Sequence, residues 1–332
     1  MLRLTSVKIE RFRGIREGEI NGFADVNVLI GRNNSGKTTV VEAIMKTIAA
    51  HYSHFHDYAG RQSDFLWNEI RGDSQAFPRE AWYRQDSTLP IELNVRIETS
   101  KQDSSQYQAA LAIQVESSAS PSVPSVPSVA RDIPAGFEPK VRSFCSALGL
   151  FRSLDGVNAR IEAILWPRLL ANRMDKLLTK SLNEIFSYNA ESIQILPGNR
   201  LMVLFDSYSL PLDTQGDGTR AAMRSLMALA MSKQALFFME EPECHQHPGS
   251  LTRYATAVCG LAKEQEVQLF ISTHSAECVK AFLDAAHEKK SEAAVFHLSL
   301  TDGKQQARRL NAADVETLQA TGIDVRFLDL YA

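Results

Sequence analysis

The sequence predicts an α/β fold organised around a largely parallel sheet. Two patterns carry that expectation. Near the amino terminus a short apolar run passes through a glycine-bearing loop into an amphipathic segment, and in the last third helical and strand-like stretches alternate three times. A third observation fits both. The 332 residues are 44% hydrophobic and 23% charged, ordinary values for a globular chain with enough material for one large domain or two moderate ones.

Taken in order, Leu2–Glu10 and Val26–Ile30 read as strands, with a turn-rich stretch from Gly14 to Gly22 between them. Val26–Ile30 is mostly apolar and ends at Gly31, as expected of a buried strand in a parallel sheet. Thr38 to Ala50 then places Val41, Ile44, Met45 and Ile48 on one helical face. From 51 to 90 no period dominates, after which Ile91–Ile97 alternates as a half-exposed strand does. Residues 117–130 contain a threefold Pro-Ser-Val repeat, the composition of a flexible loop or linker. Residues 156–188 carry helical spacing that Pro167 is expected to kink or split. Strands at Ile193–Leu196 and Leu201–Phe205 flank the turn Pro197-Gly198-Asn199. Helices near Thr219–Lys233, Ser250–Lys263 and Ala276–Ala286 each precede a strand, at Ala235–Met239, Val267–Ile271 and Ala294–Leu298. The expected layout is a core from 1–50 and 191–332, interrupted by a partly helical insertion at 51–190 that includes the linker at 117–130.

Charge and composition narrow the class. With 36 Lys+Arg against 39 Asp+Glu, the net charge of -3 argues against a strongly basic nucleic-acid binder but leaves a local patch open. No apolar run reaches the 18 residues of a membrane span, and the first residues lack the apolar core of a signal peptide. The four cysteines form no CxxC pair and read as reduced thiols, so the expected compartment is the cytoplasm.

Gly31-Arg32-Asn33-Asn34-Ser35-Gly36-Lys37-Thr38 fits G-x-x-x-x-G-K-[ST] at every fixed position, between a strand and a helix. Glycines allow the tight curl, backbone N–H groups converge on phosphate oxygens, and the helix amino terminus adds partial positive charge. Gly31, Asn33, Asn34, Ser35, Gly36, Lys37, Thr38 and Thr39 are the expected nucleotide-binding residues, with Lys37 on the β- and γ-phosphates and the Thr38 hydroxyl on Mg²⁺.

The strand at Ala235–Met239 runs into Glu240-Glu241-Pro242-Glu243, and the carboxyl ends of strands are where α/β sheets place ligand chemistry. Glu240 is the expected second Mg²⁺ ligand and Glu241 the residue that polarises the attacking water. Read without the upstream loop, the same segment is a solvated acidic turn. Adjacent carboxylates on a strand face opposite ways unless the chain turns, and Pro242 supplies a reason to turn. His274, ending the apolar run Leu269–Ser272 before a helix, is placed to reach the γ-phosphate; a helix-capping role is the plainer reading. Gly216-Asp217-Gly218 before a helix forms another anion-receptive turn, either a simple cap or a contact for the nucleotide of a second subunit. Cys244-His245-Gln246-His247 fits no common zinc spacing, and Arg11, Arg13 and Arg16 read as a solvated edge unless one meets a phosphate.

Together GRNNSGKTT, EEPECHQHP and ISTHS resemble ABC-type P-loop ATPase heads of the SMC-like and OLD (overcoming lysogenization defect) branch. KIERFRGI is similar to the opening strand of many such proteins, and GDGTR resembles the OLD version of their signature motif. The resemblance covers about 1–50 and 200–300. It implies an ATPase using ATP and Mg²⁺, in which two heads close on two nucleotides. Gly216, Asp217 and Gly218 then act in trans, and Glu241 and His274 serve hydrolysis. It also implies a Mg²⁺-sensing glutamine, for which Gln62, Gln75 and Gln85 are equal candidates. Many OLD-type proteins carry a Toprim nuclease after the ATPase; only about thirty residues follow Leu298, too few for such a domain.

The expected function is therefore a slow, dimerising ATPase switch for a separately encoded nuclease or toxin, with antiphage defence as the context. A DNA repair or recombination clamp that touches DNA directly, and a scaffold that binds ATP with little turnover, are the competing expectations. A membrane transporter ranks last, since its signature differs.

Overall fold

The structure, a computed structural model, describes residues 2–50, 83–86, 88–99, 106–113, 149–152, 159–196 and 200–331. In chain order the elements are β1 (Leu2–Phe12), β2 (Ile15–Asn21), β3 (Val26–Ile30), α1 (Lys37–Ala50), β4 (Ile91–Thr99), β5 (Gln106–Ile113) and β6 (Gly149–Arg152). There follow α2 (Ala159–Ala171), α3 (Asp175–Phe186), β7 (Ser192–Leu196), β8 (Arg200–Leu204), β9 (Ser209–Pro211), α4 (Asp217–Met231) and β10 (Leu236–Glu240). The chain continues through α5 (Pro248–Glu264), β11 (Gln268–Ser272), α6 (Ala276–Glu288), β12 (Ala293–Thr301), β13 (Lys304–Leu310) and α7 (Ala312–Ala320), and the short 3-10 segment Val325–Leu330 follows.

The main sheet runs β5-β4-β1-β2-β13-β12-β3-β11-β10-β6. From β12 through β3, β11 and β10 to β6 every neighbour is parallel, whereas β5, β4, β1 and β2 form an antiparallel wing. The central strands alternate between two cores. Val26, Val28, Ile30, Phe237, Met239, Leu269 and Ile271 face one core with α2 to α6. Leu29, Leu236, Phe238 and Phe270 face the other, with α1 and the antiparallel wing. Cover on both faces explains why these strands read as mostly apolar runs rather than alternating ones. Fully buried Gln268 ties the halves together: its Oε1 accepts from Leu4 N at 2.9 Å, and its Nε2 donates to Leu4 O at 2.9 Å and Ala24 O at 2.8 Å. No helix among the described residues is long and apolar enough to cross a membrane.

Several expectations are corrected. The stretch Gly14–Gly22, read as turns, is mostly the strand β2, paired antiparallel with β1. Its Gly18 serves close approach, since a Cβ there would lie 2.8 Å from Gln305 Cβ on β13. The helical stretch at 156–188 divides at 172–174 rather than at Pro167, which stays inside α2. Pro167 itself is exposed, while Arg173 turns the chain at φ 60° and Met174 N bonds Leu169 O at 2.9 Å. Part of the expected insertion at 51–190 joins the main architecture: β4 pairs with β1, β6 with β10, and α2 and α3 pack in the core beside α4 and α5. The expected linker at 117–130, the turn at 197–199, and the candidates Gln62 and Gln75 lie outside the described residues. Gln85 falls in the 3-10 turn Tyr83–Gln85.

Candidate nucleotide site

The loop joining β3 to α1 is shaped by its glycines. Gly31 has φ 150°, and a Cβ there would fall well inside contact distance of Leu298 O on β12. Gly36, at φ 90°, leaves room for Gln305, whose Nε2 donates to Ser35 O at 3.0 Å. Gln305 is a brace that sequence reasoning missed, because β13 carries no recognisable strand pattern. Asn33 and Asn34 are exposed at the mouth, with Asn34 at φ 63°. Ser35 is buried, and Thr38 and Thr39 are half-buried on the first turn of α1.

Lys37 is buried and its Nζ donates to the carbonyls of Gly31 at 2.9 Å and Arg32 at 3.0 Å. Burial lowers its pKa to about 8 against the opposing pull of Glu241. That opposition places the Glu241 carboxylate near the lysine.

Glu240 closes β10 in register with Ser272 of β11. The chain then turns at Glu241 itself, one residue before the proline credited with the turn. Glu241 has φ 47°, its N–H bonds Ser272 O at 2.8 Å, and Cys244 N bonds its carbonyl at 3.0 Å. Glu241 Oε1 comes within 3.8 Å of His274 Nε2, and Cys244 Sγ donates to Glu241 Oε2 at 3.5 Å. Burial, then Lys37, hold the His274 pKa below its ordinary value, against Glu241 and Glu243.

His274 is aimed by its neighbours. Fully buried Thr273 donates through Oγ1 to Glu243 Oε1 at 2.5 Å, and the same Oγ1 accepts from Ser275 N at 2.9 Å. Ser275, not His274, caps α6, accepting from Cys278 N at 3.1 Å. Glu243 thus positions the strand end, a role not assigned from sequence.

The Gly216–Gly218 turn attaches to the loop after β10 rather than to the phosphate loop. Helix α4 begins at Asp217, so Gly218 lies within its first turn, pressed against the His245 carbonyl, and Gln246 Nε2 donates to Gly218 O at 2.7 Å. Gly216 faces open space: a methyl group on its Cα would meet nothing within 4 Å among the described residues. Asp217 pairs with Arg220 at 2.7 Å. His247 caps α5 through Nδ1, accepting from Gly249 N at 3.2 Å. Arg11 contacts Glu92 at 2.7 Å and Arg13 contacts buried Glu42 at 2.6 Å, so neither belongs to a solvated edge; exposed Arg16 pairs with Glu17 at 3.2 Å.

Loop, acidic strand end and adjacent histidine at the carboxyl edge of a parallel sheet define an α/β P-loop ATPase head. The AAA ATPase domain family AAA_15 matches residues 2–116 and 168–279, and the chain belongs to it. The fold is similar to that of Smc head domains. A head from Pyrococcus furiosus, with an extended coiled coil and bound to the C-terminal domain of ScpA, aligns with a TM-score of 0.58 at 8% identity, covering 97% of this chain and 99% of that one. A second Smc head, bound to the C-winged helix domain of ScpA, gives 0.61 at 10% identity, over 96% and 99%. The SMC head of Thermotoga maritima gives 0.55 at 13%, over 93% and 100%. An uncharacterised protein of Methanocaldococcus jannaschii is 24% identical over 113 residues, which are 33% of this chain and 98% of that protein.

Proposed function

We propose that this ATPase domain works as a slow, nucleotide-driven clamp, in which two copies close on ATP and open after hydrolysis. The observation that carries the reading is the convergence of Lys37, Glu241 and His274 at the ends of β3, β10 and β11. Backbone N–H groups of 33–38 and Lys37 hold the phosphates. Glu241, beside Lys37, takes a proton from the attacking water while His274 senses the terminal phosphate. The half-buried Thr38 hydroxyl and Glu240 carboxylate are hard oxygen donors suited to Mg²⁺, which when bound neutralises charge on the phosphates. Open space at Gly216 favours that glycine, with Asp217, as the part of the signature turn offered to a second subunit. Gly218, turned into its own chain, supports them from below.

The OLD-like form of GDGTR favours that branch, and hence an effector nuclease or toxin encoded separately, in antiphage defence. The Smc heads solved with pieces of ScpA are an analogy for docking such a partner. Light scattering on Glu241→Gln, with and without Mg-ATP, tests the clamp: a monomer that doubles in mass only with ATP is expected. A mass indifferent to ATP overturns nucleotide-driven closure.

A further inference from the structure

The last described residues of the chain, to which the sequence assigned no role, form a wall of the nucleotide site. The 3-10 segment Val325–Leu330 lies over the phosphate loop, and a cavity of about 540 Å³ opens between Gly31, Arg32 and Asn33 on one side, His274 on another, and Arg326 and Phe327 on the third. The segment is fastened to the strand beside β3. His297 of β12, in register with Ile30, is 4% exposed; its ring bonds the Arg326 backbone, and its Nε2 lies 3.7 Å from Asp329 Oδ1. Asp329 also reaches Arg32 at 3.4 Å.

Arg326 is held in place. Asp324 takes its Nε at 2.9 and 3.0 Å and its Nη2 at 2.5 Å, and the guanidinium carbon stands 5.4 Å from the Phe327 ring centre. Among the described residues these bonds engage Nε and Nη2, with Glu277 acting on the guanidinium only through its charge, so the Nη1 side of the fork is the one offered to a ligand. On the phosphate-loop reading, Asn33 and His274 in its lining put this cavity on the terminal-phosphate side of the loop. His274 is held towards its neutral form there and Lys37 towards weaker basicity, whereas a guanidinium keeps its charge at any physiological pH.

We propose that Arg326 is a catalytic residue of this ATPase, its guanidinium meeting the terminal phosphate from within the same chain. In the step it serves, water oxygen bonds to the γ-phosphorus and the bond to the β,γ-bridging oxygen breaks. ADP leaves with that electron pair, and the water proton passes to Glu241. Arg326 exchanges no proton; it stabilises charge on the phosphoryl oxygens and the bridging oxygen. Asp324 and Phe327 are its positioning residues. The inference rests on the phosphate-loop reading above.

The test compares native protein, Arg326→Ala and Arg326→Lys by steady-state Mg-ATP turnover, by binding of a non-hydrolysable ATP analogue and by thermal melting. Expected for Arg326→Ala is a kcat loss of about 100-fold with analogue affinity within about threefold of native, the signature of an interaction made in the transition state. Added guanidinium ion restores part of that turnover, and Arg326→Lys recovers little, since an ammonium cannot reproduce the planar fork. If native protein turns over ATP and Arg326→Ala matches it within about threefold, the proposal fails while the ATPase reading stands. A parallel loss of turnover, affinity and melting temperature without guanidinium rescue would make Arg326 a structural anchor and overturn the proposal. Native protein that neither binds the analogue nor hydrolyses ATP removes both readings at once.

Discussion

Glu241 Oε1 stands 3.8 Å from His274 Nε2, each side chain delivered just past the carboxyl end of one of two neighbouring parallel strands. Burial, ahead of the nearby Lys37, holds the imidazole below its ordinary pKa and so disfavours its charged form beside Glu241. Glu241 also pulls against the lowering of the Lys37 pKa, which links the end of β10 to the phosphate loop.

In the clamp proposed above Glu241 is the proton acceptor, and Glu241→Gln removes that function while keeping the shape. Its kcat is expected to fall by about 100-fold or more with ATP affinity retained, since general-base contributions run from about 10²- to 10⁴-fold. Steady-state phosphate release alongside equilibrium binding decides the matter; equal losses in both would assign Glu241 to substrate binding.

Lys37 predicts a proton linkage. Its pKa falls from 10.5 in the unfolded chain to about 8 in the folded one, so between these values the unfolded state binds more protons and stability rises with pH. That gain is complete above 10.5 and is lost as pH falls through about 8. Phosphate contact raises the pKa again, so ATP binding at about pH 8.5 takes up a proton. Calorimetry in buffers of different ionisation enthalpy measures the uptake, and Lys37→Met abolishes it together with the pH-dependent increment of stability.

Gly31 and Gly216 separate backbone need from open space. Gly31→Ala drives a Cβ into the Leu298 carbonyl at a φ of 150°, with an expected cost of at least about 2 kcal/mol. Gly216→Ala, at φ -56° with nothing nearby, costs under about 1 kcal/mol, the loss of a favourable N-cap. Urea denaturation compares them. A stable Gly216→Ala protein that loses ATP-driven association would place that glycine at the contact between subunits.

Gln268→Leu strands the Leu4 N–H and the Leu4 and Ala24 carbonyls away from water. Unmet buried groups cost about 1–3 kcal/mol each, and partial relaxation brings the expected loss to about 2–4 kcal/mol. A denaturation midpoint unchanged from native would show that these backbone groups find other partners.

The phosphate loop is legible because one short span carries both its chemistry and its geometry. The flanking strand β3 begins and ends where its apolar run does, at Val26 and Ile30. β10 and β11 fall within one residue of their apolar runs for the same reason, being covered on both faces. β2 is hidden because its Gly18 serves close approach to β13, a partner nearly 290 residues away that no local pattern announces. Gln305 and Arg326 are hidden likewise: a lone glutamine and a lone arginine acquire meaning only when β13 and the 3-10 segment Val325–Leu330 come to lie beside the loop. Glu243 stands inside a motif that the sequence does show, but its bond to Thr273 depends on two strands lying side by side.

The contact between Gly218 and His245 has a consequence for how this sequence can drift. With the His245 carbonyl where a methyl would sit, and the Gln246 amide on the Gly218 carbonyl, position 218 admits glycine alone unless the loop after β10 is rebuilt with it. Two segments separated by a whole helix and strand therefore form one unit of inheritance. In a library that randomises both, survivors carrying any other residue at 218 should be those that also carry a changed 244–247, and graft experiments that swap one segment without the other should fail to fold at this corner.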